Sequence, residues 1–523
     1  MRNISRRGFL SAGGVSVVSL VLSVSTGRPA VAKPRFASHP FSLGVASGDP
    51  VPDGFVVWTR LAPDPVAEDG HGGMPPERVG VRYEVAEDEL FRRVVRRGTA
   101  GADPDFAHSV HVEVGGLGPA REYFYRFRVG SEISPVGRTR TAPAFGAHVE
   151  RVRLAIASCQ NFADGHYPAF GDMTRQDFDL LVHLGDYIYE GASQGDPALA
   201  RGHLPAHECI TLADYRVRYG QYKTDPNLQA AHALFPWLTT PDDHEVDNNW
   251  AGGQDGHDVR EGFLERRAAA FRASYENLPL RRAQRPVGPN MQIFRRLRYG
   301  DIARFHLLDT RQFRDNQAEC TNEERVDGYC PGSLDPARTI LGDEQERWLY
   351  DGLAGSPARW NVICNQTHFA PFDHLEGPGR RFSTEDAWGE GYVGDREQLL
   401  DFIAARRPSN PVVITGDSHK NWLFDLKEDF TNPDSETLAT EYLGTSVSSG
   451  GDMQTTETTF GGTPDNPHLV FSNGQRGYVL VDVTPERWWA DFRVSDTVQV
   501  PDAPLHTVAS FVTEDGRPGA QRV

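Results

Sequence analysis

Two short stretches of this chain place ligand-type side chains directly after a hydrophobic run and a glycine: Gly185-Asp186-Tyr187-Ile188-Tyr189-Glu190 and Gly416-Asp417-Ser418-His419. A third, Thr240-Pro241-Asp242-Asp243-His244-Glu245-Val246-Asp247-Asn248-Asn249, packs carboxylates, an imidazole and amides into ten positions. Oxygen-rich sets of this kind suit hard cations, and a histidine beside them suits iron, zinc or protonation of a leaving group. Each stretch alone also has a structural reading, as a helix cap after Gly185 or a solvated acidic turn around Asp243. Three of them in one chain point to a cation-dependent centre.

Such side chains converge only if rigid elements carry them. Residues 153–159, 178–186 and 411–417 read as buried strands, each ending in a candidate ligand: Cys159, Asp186 and Asp417. Helical patterns at 212–224, 260–276 and 343–353 lie between or beside them, which makes an α/β core. In such cores ligands gather outside the carboxyl ends of the strands, so groups distant in sequence can meet. Residues 41–141 read differently. Short alternating segments at 55–59, 81–85, 109–114 and 123–129, spaced by turns, predict an antiparallel sandwich with no catalytic constellation of its own.

The chain has 523 residues, 54 Lys+Arg against 72 Asp+Glu, and a net charge of −18, which disfavours nucleic acid as a partner. At its start, Ser5-Arg6-Arg7-Gly8-Phe9-Leu10 precedes an uncharged run and the small-residue end Ala30-Val31-Ala32. That pattern predicts a twin-arginine export signal over 1–32, a mature chain from near Lys33, and a secreted or extracytoplasmic protein. No later stretch approaches the roughly 18 apolar residues of a membrane span, so no stable insertion of the mature chain is expected. Five cysteines leave at least one unpaired. Cys320 and Cys330, close together in a polar loop, are the expected bridge, and the fates of Cys209 and Cys364 stay open.

Together with Cys159, these motifs resemble the calcineurin-like metallophosphoesterases, and within them the PhoD-like alkaline phosphatases and their phospholipase D relatives. The resemblance runs from Phe41-Ser42-Leu43-Gly44-Val45-Ala46-Ser47-Gly48-Asp49-Pro50 to Gly416-Asp417-Ser418-His419. It includes Leu308-Asp309-Thr310-Arg311-Gln312-Phe313-Arg314-Asp315 and Asn361-Val362-Ile363-Cys364-Asn365-Gln366. It implies a four-layer α/β/β/α catalytic domain over 151–500, an immunoglobulin- or fibronectin-like sandwich over 40–143, and a C-terminal tail over 501–523. It also implies one ferric ion held by Cys159, Asp186, Tyr189 and His419, with calcium taken by Asp186, Asp243, Asn365 and Asp417. Thiolate and phenolate are strong donors to Fe(III), and carboxylates suit calcium. Asn365 has an alternative as a strand-end cap, and Cys159 as a buried structural thiol.

For the reaction, the resemblance implies in-line attack by metal-bound hydroxide on a phosphate ester. Arg311 would grip the phosphoryl oxygens, and His244 would position phosphate or protonate the leaving group. The alternatives are an ion pair of Arg311 with Asp309 or Asp315 and a supporting role for His244. Three functions compete: a phosphomonoesterase releasing inorganic phosphate, a phosphodiesterase of phospholipase D type on the same centre, and a non-catalytic exported binder of phosphate or cations. The expected partners are a phosphate-ester substrate and, during export, the twin-arginine translocation machinery; oligomeric state stays open.

Overall fold

The computed structural model describes residues 36–254, 261–382, 386–453 and 456–523. The predicted export signal over 1–32 lies outside the described residues. Among those described, no helix is long and apolar enough to cross a membrane.

Two large sheets face each other. The first has ten strands and is built around Val152–Ala157, Leu180–His183 and Pro236–Thr239, which run parallel. The second has eight, with Ala303–Leu307, Trp360–Cys364 and Pro411–Thr415 parallel at its centre. Apolar residues make up most of these central strands, and every position but Arg153 is buried, as strands covered on both faces must be. Between the sheets lies a core that includes Leu154, Ile156, Val182, Leu307, Val362 and Ile414. Helices cover both outer faces. Tyr215, Tyr219, Leu228, Ala270 and Phe271 pack on the first sheet, and Leu349, Leu353, Leu399 and Ile403 on the second. This is the expected α/β/β/α core.

The three helices read from the sequence form as Leu212–Tyr222, Phe263–Asn277 and Gly342–Ala354. Thr211 begins the first by accepting from the Asp214 amide while Asp214 reaches back, a capping box. Arg260, the expected start of the second, lies outside the described residues, and Gly262 caps that helix in a left-handed conformation. Pro226–Leu234 and Val393–Arg406 are further helices that the sequence reading passed over. Cys320 and Cys330 form a disulfide, while Cys159, Cys209 and Cys364 are buried and free.

Two boundaries differ from expectation. The N-terminal strands do pack as a sandwich, with a core that includes Phe55, Val57, Val81, Val112, Tyr125 and Phe127. One of its two sheets, however, is continuous with the catalytic core: Val45–Val51 pairs in parallel with Pro236–Thr239, Gly54–Arg60 pairs with it, and Ser109–Val114 forms the edge. The segment expected as a tail over 501–523 is no tail. Leu505–Glu514 and Arg517–Arg522 extend the other end of the ten-stranded sheet. The physical reason is the alternation that buries Ala509, Phe511 and Thr513, with Phe511 packed on Phe471 and Phe492.

Phe511→Ala is therefore expected to cost about 3–5 kcal/mol, the range for emptying a buried aromatic site. Chemical denaturation would show it, whereas truncation of a true tail would leave the midpoint unchanged.

Candidate metal centre

The candidate ligands stand where the parallel strands end. Val152–Ala157 leads to Cys159, Leu180–His183 to Asp186, Pro236–Thr239 to Asp242 and Asp243, and Pro411–Thr415 to Asp417 and His419. Hydrogen bonding at these ends turns the chain sharply. Cys159, Asp186, Asp417 and His419 all have positive φ, between 54° and 64°, a region that side-chain-bearing residues adopt at a cost. Gly185, at φ 110°, permits the closest approach: a Cβ there would lie 2.4 Å from the Asp242 Cβ and 2.6 Å from its amide nitrogen. Gly416 does the same between the sheets, where a Cβ would meet the Ser158 hydroxyl at 2.4 Å.

Three overlapping groups of ligand atoms result, each with its members within 4.8 Å of one another: Cys159, Asp186 and His419; Asp186, Asp243 and His244; and Asp242, Asp243 and Asp417. The Tyr189 hydroxyl joins the first group, donating to Asp186 Oδ2 at 2.9 Å and lying 2.9 Å from His419 Nε2. Asp186 and Asp243 belong to two groups each, so cations held in neighbouring groups would share carboxylates.

The charges of this cluster are mutually unfavourable without a cation. Burial, then Asp243, pushes Asp186 well above the usual carboxylate range. Burial and the neighbouring Asp386, Asp242 and Asp243 do the same to Asp417. Burial, followed by Asp186 and Asp417, raises the Cys159 thiol, and burial and Asp186 raise the Tyr189 phenol. Burial, helped by Arg476 and His244, lowers His419 to about 3, so its imidazole is neutral and able to ligate. Acids crowded around a neutral imidazole, a thiol and a phenol fit cation binding, because positive charge lowers the raised carboxyl, thiol and phenol groups and leaves the imidazole neutral.

His244 sits at the rim with its ring 4.1 Å from that of Tyr189, centroid to centroid. Its Nδ1 lies 2.7 Å from Glu190 Oε2, and the other Glu190 oxygen accepts from the Asn248 amide. Burial opposes a charge on His244, but Glu190, Asp243 and Asp186 outweigh it and hold the imidazole well above its ordinary value.

The sequence profile of the PhoD-like phosphatase family matches residues 154–492, and that of its N-terminal domain matches residues 27–143. The chain belongs to the PhoD-like phosphatase family. Alkaline phosphatase D of Bacillus subtilis (strain 168) is 46% identical over 528 aligned residues, spanning 99% of this chain and 89% of that protein. The solved structure of PhoD superposes with a TM-score of 0.86 at 46% identity, covering 94% of this chain and 93% of that one. The chain is thus a phosphoesterase hydrolase with the PhoD-like fold.

Two expected residues of this PhoD-like site stand differently from expectation. Arg311 does not offer an open fork. It is buried, with Nε 2.5 Å from Asp242 Oδ1 and both terminal nitrogens 3.3 Å from Asp386 Oδ2, and Asp243 Oδ1 lies 3.7 Å away. Its partners are therefore neither Asp309 nor Asp315, although the Asp309 carboxylate accepts from the Arg311 backbone amide at 3.1 Å. Asn365 turns its Oδ1 to the Trp388 indole at 3.1 Å and its Nδ2 to the Thr367 carbonyl at 2.5 Å, the bonding of a strand-end cap.

The sequence reading also passed over several supports of the PhoD-like site. Glu245 stood within a quoted motif, yet its role is visible only in the fold: its carboxylate accepts from the amides of Asp186, Tyr187 and Asp242, tying two strand ends together. Asp242 belongs to the cluster, and its place in a tandem Asp-Asp was the available signal. On the far side, Ser418 lies 3.0 Å from His368 Nδ1, and His368 Nε2 lies 2.7 Å from Glu390 Oε2. The Asp417–His419 turn is thereby anchored from behind by a buried ion pair that no local motif announces.

Gly185→Ala is expected to destabilise by on the order of 3 kcal/mol, since strain at φ 110° adds to a clash with backbone. It should also displace Asp242, so a lowered thermal midpoint and lost activity should appear together. The His368 pair adds a pH signature. Although burial disfavours the charge, Glu390, Glu441 and Asp417 raise His368 to about 9. A raised folded value stabilises fully below the unfolded value of about 6.5, and the gain is lost as pH rises through the folded one. Denaturation of the parent should therefore show a contribution on the order of 3 kcal/mol that fades between about pH 6.5 and pH 9, and His368→Gln should flatten that slope.

Proposed function

We propose that this chain is an exported, metal-dependent alkaline phosphatase that releases inorganic phosphate from phosphate monoesters. The observation that carries this reading is the sharing of Asp186 and Asp243 among three ligand groups at the strand ends. Cys159, Asp186, Tyr189 and His419 would hold a ferric ion, and Asp186, Asp242, Asp243 and Asp417 would hold calcium, with Asn365 beside them as a cap. When bound, such ions stabilise charge on phosphoryl oxygens and lower the pKa of a coordinated water. The name of the Bacillus subtilis relative, alkaline phosphatase D, supports the reaction class.

The chain's own residues supply the rest. Glu190 occupies Nδ1 of His244, which leaves Nε2 as the nitrogen available to protonate the departing alkoxide. Arg311 fixes the carboxylates of Asp242 and Asp243 and balances their charge in a buried setting. Export through the twin-arginine machinery is supported by the Arg6-Arg7 segment and by the Cys320–Cys330 disulfide, which suits an oxidising compartment.

Cys159→Ser should lose iron and activity together, read by elemental analysis and visible absorbance. Full iron in an active Cys159→Ser protein would refute the ferric assignment. Selective removal of calcium should stop turnover while iron stays bound. Phosphate release from p-nitrophenyl phosphate should far exceed choline release from phosphatidylcholine; the reverse order would make the chain a diesterase, and no hydrolysis by the metal-loaded protein would make it a binder.

A further inference from the structure

The small sheet of the N-terminal sandwich carries a charge pattern that neither its packing nor the metal centre uses. Val79–Ala86, Val94–Ala102 and Glu122–Val129 pair antiparallel, and Tyr83 and Phe127 turn inward to the sandwich core. The intervening positions face the other way. Register aligns Thr99, Arg82 and Arg128 in one cross-strand row, and Arg97, Glu84 and Arg126 in the next. These six side chains line a depression of about 290 Å³.

One arginine of the four is accounted for. Arg126 pairs with Glu84 at 2.7 Å and lies 3.9 Å over the Phe91 ring. Among the described residues, Arg82, Arg97 and Arg128 form no ion pair. Arg82 and Arg128 stand directly opposite each other, an arrangement that costs stability on a sheet. The five strands of this sheet hold seven arginines against three glutamates, while the whole chain has a net charge of −18. A local excess of positive charge, kept at a cost and gathered in a concavity, is what an oxyanion site requires.

We propose that this groove binds a soluble, multiply charged phosphate-bearing anion, gripped by Arg82, Arg97 and Arg128 at a place separate from the metal centre. Guanidinium groups match phosphate oxygens with paired hydrogen bonds, and the strands hold the three stems in fixed register. The six outward positions contain no apolar side chain to enter a lipid layer, and the two aromatic residues that also border the depression, Tyr83 and Phe127, pack into the sandwich core rather than standing free to stack on a base. The acidic remainder of the surface repels a long polyanion but admits a compact one. This inference does not depend on the metal assignment.

The test is calorimetric titration of the full, metal-loaded chain with methylenebisphosphonate, whose P–C–P link a phosphoesterase does not cleave, in calcium-saturated buffer. Parallel arms use inorganic phosphate and vesicles of phosphatidylcholine and phosphatidylglycerol in equal parts. R82Q/R97Q/R128Q should bind the bisphosphonate roughly tenfold more weakly than the parent, with the gap closing as salt is added. Inorganic phosphate should show a smaller difference of the same sign, and p-nitrophenyl phosphate turnover should be unchanged. Equal affinity in parent and variant overturns the proposal, as does arginine dependence in the vesicle arm alone. Should the triple variant fail to fold, R128Q decides: relief of the Arg82–Arg128 opposition should hold or raise the low-salt thermal midpoint while affinity drops. A lowered midpoint in R128Q makes the arginine structural and overturns the site.

Discussion

Asp186, Asp242 and Asp243 are buried and Asp417 half-buried in two groups joined by Asp243, and the repulsion among these carboxylates sets the terms for everything around them. Burial raises Asp186 and Asp417 and pushes Asp242 up to about 6, whereas Arg311 and His244 outweigh burial at Asp243 and hold it low. One fixed arginine and one imidazole do not balance four negative charges in a low-dielectric interior. The remaining imbalance is one that bound cations would relieve. It also explains why the surrounding scaffold must be stiff, since without enforced positions the carboxylates would move apart.

That stiffness comes from backbone constraint. The strand ends that deliver Cys159, Asp186, Asp417 and His419 turn through left-handed residues, and such conformations persist only when neighbouring contacts fix them. Here the contacts are identifiable. Glu245 accepts from three amides across two strand ends, Arg476 donates to the His419 carbonyl at 2.6 Å, and the His368–Glu390 pair holds Ser418 between Asp417 and His419. Glu390 favours the charged over the neutral form of His368 inside the fold, while the desolvation cost of burying both groups leaves positioning of the ligand turn as what the pair adds over an apolar packing.

The two sheets divide the labour. Core packing between them fixes the separation across which Cys159 and Asp186 on one sheet face Asp417 and His419 on the other. Continuity of the ten-stranded sheet into the N-terminal strands ties the sandwich to this frame, so its outer arginine face is carried by a rigid extension of the catalytic core.

The sequence by itself determined the candidate ligand types, the strands that bear them and the α/β class, because glycine-carboxylate turns after largely apolar runs are local features with a local signature. It also pointed to the Cys320–Cys330 bridge, since a polar loop with a sequence separation of 10 keeps those thiols close without help from the rest of the fold. Only the tertiary structure decided that Arg311 faces Asp242 and Asp386, that Asn365 caps, that Glu245 joins two strand ends, and that His368 and Glu390 stand behind Ser418. Each of those outcomes needs at least one partner 22 to 75 residues away, brought in by sheet register and core packing. The last two strands were missed for the same reason: alternation over 505–514 is weak as a string, and becomes a sheet edge only when Phe511 finds Phe471 and Phe492.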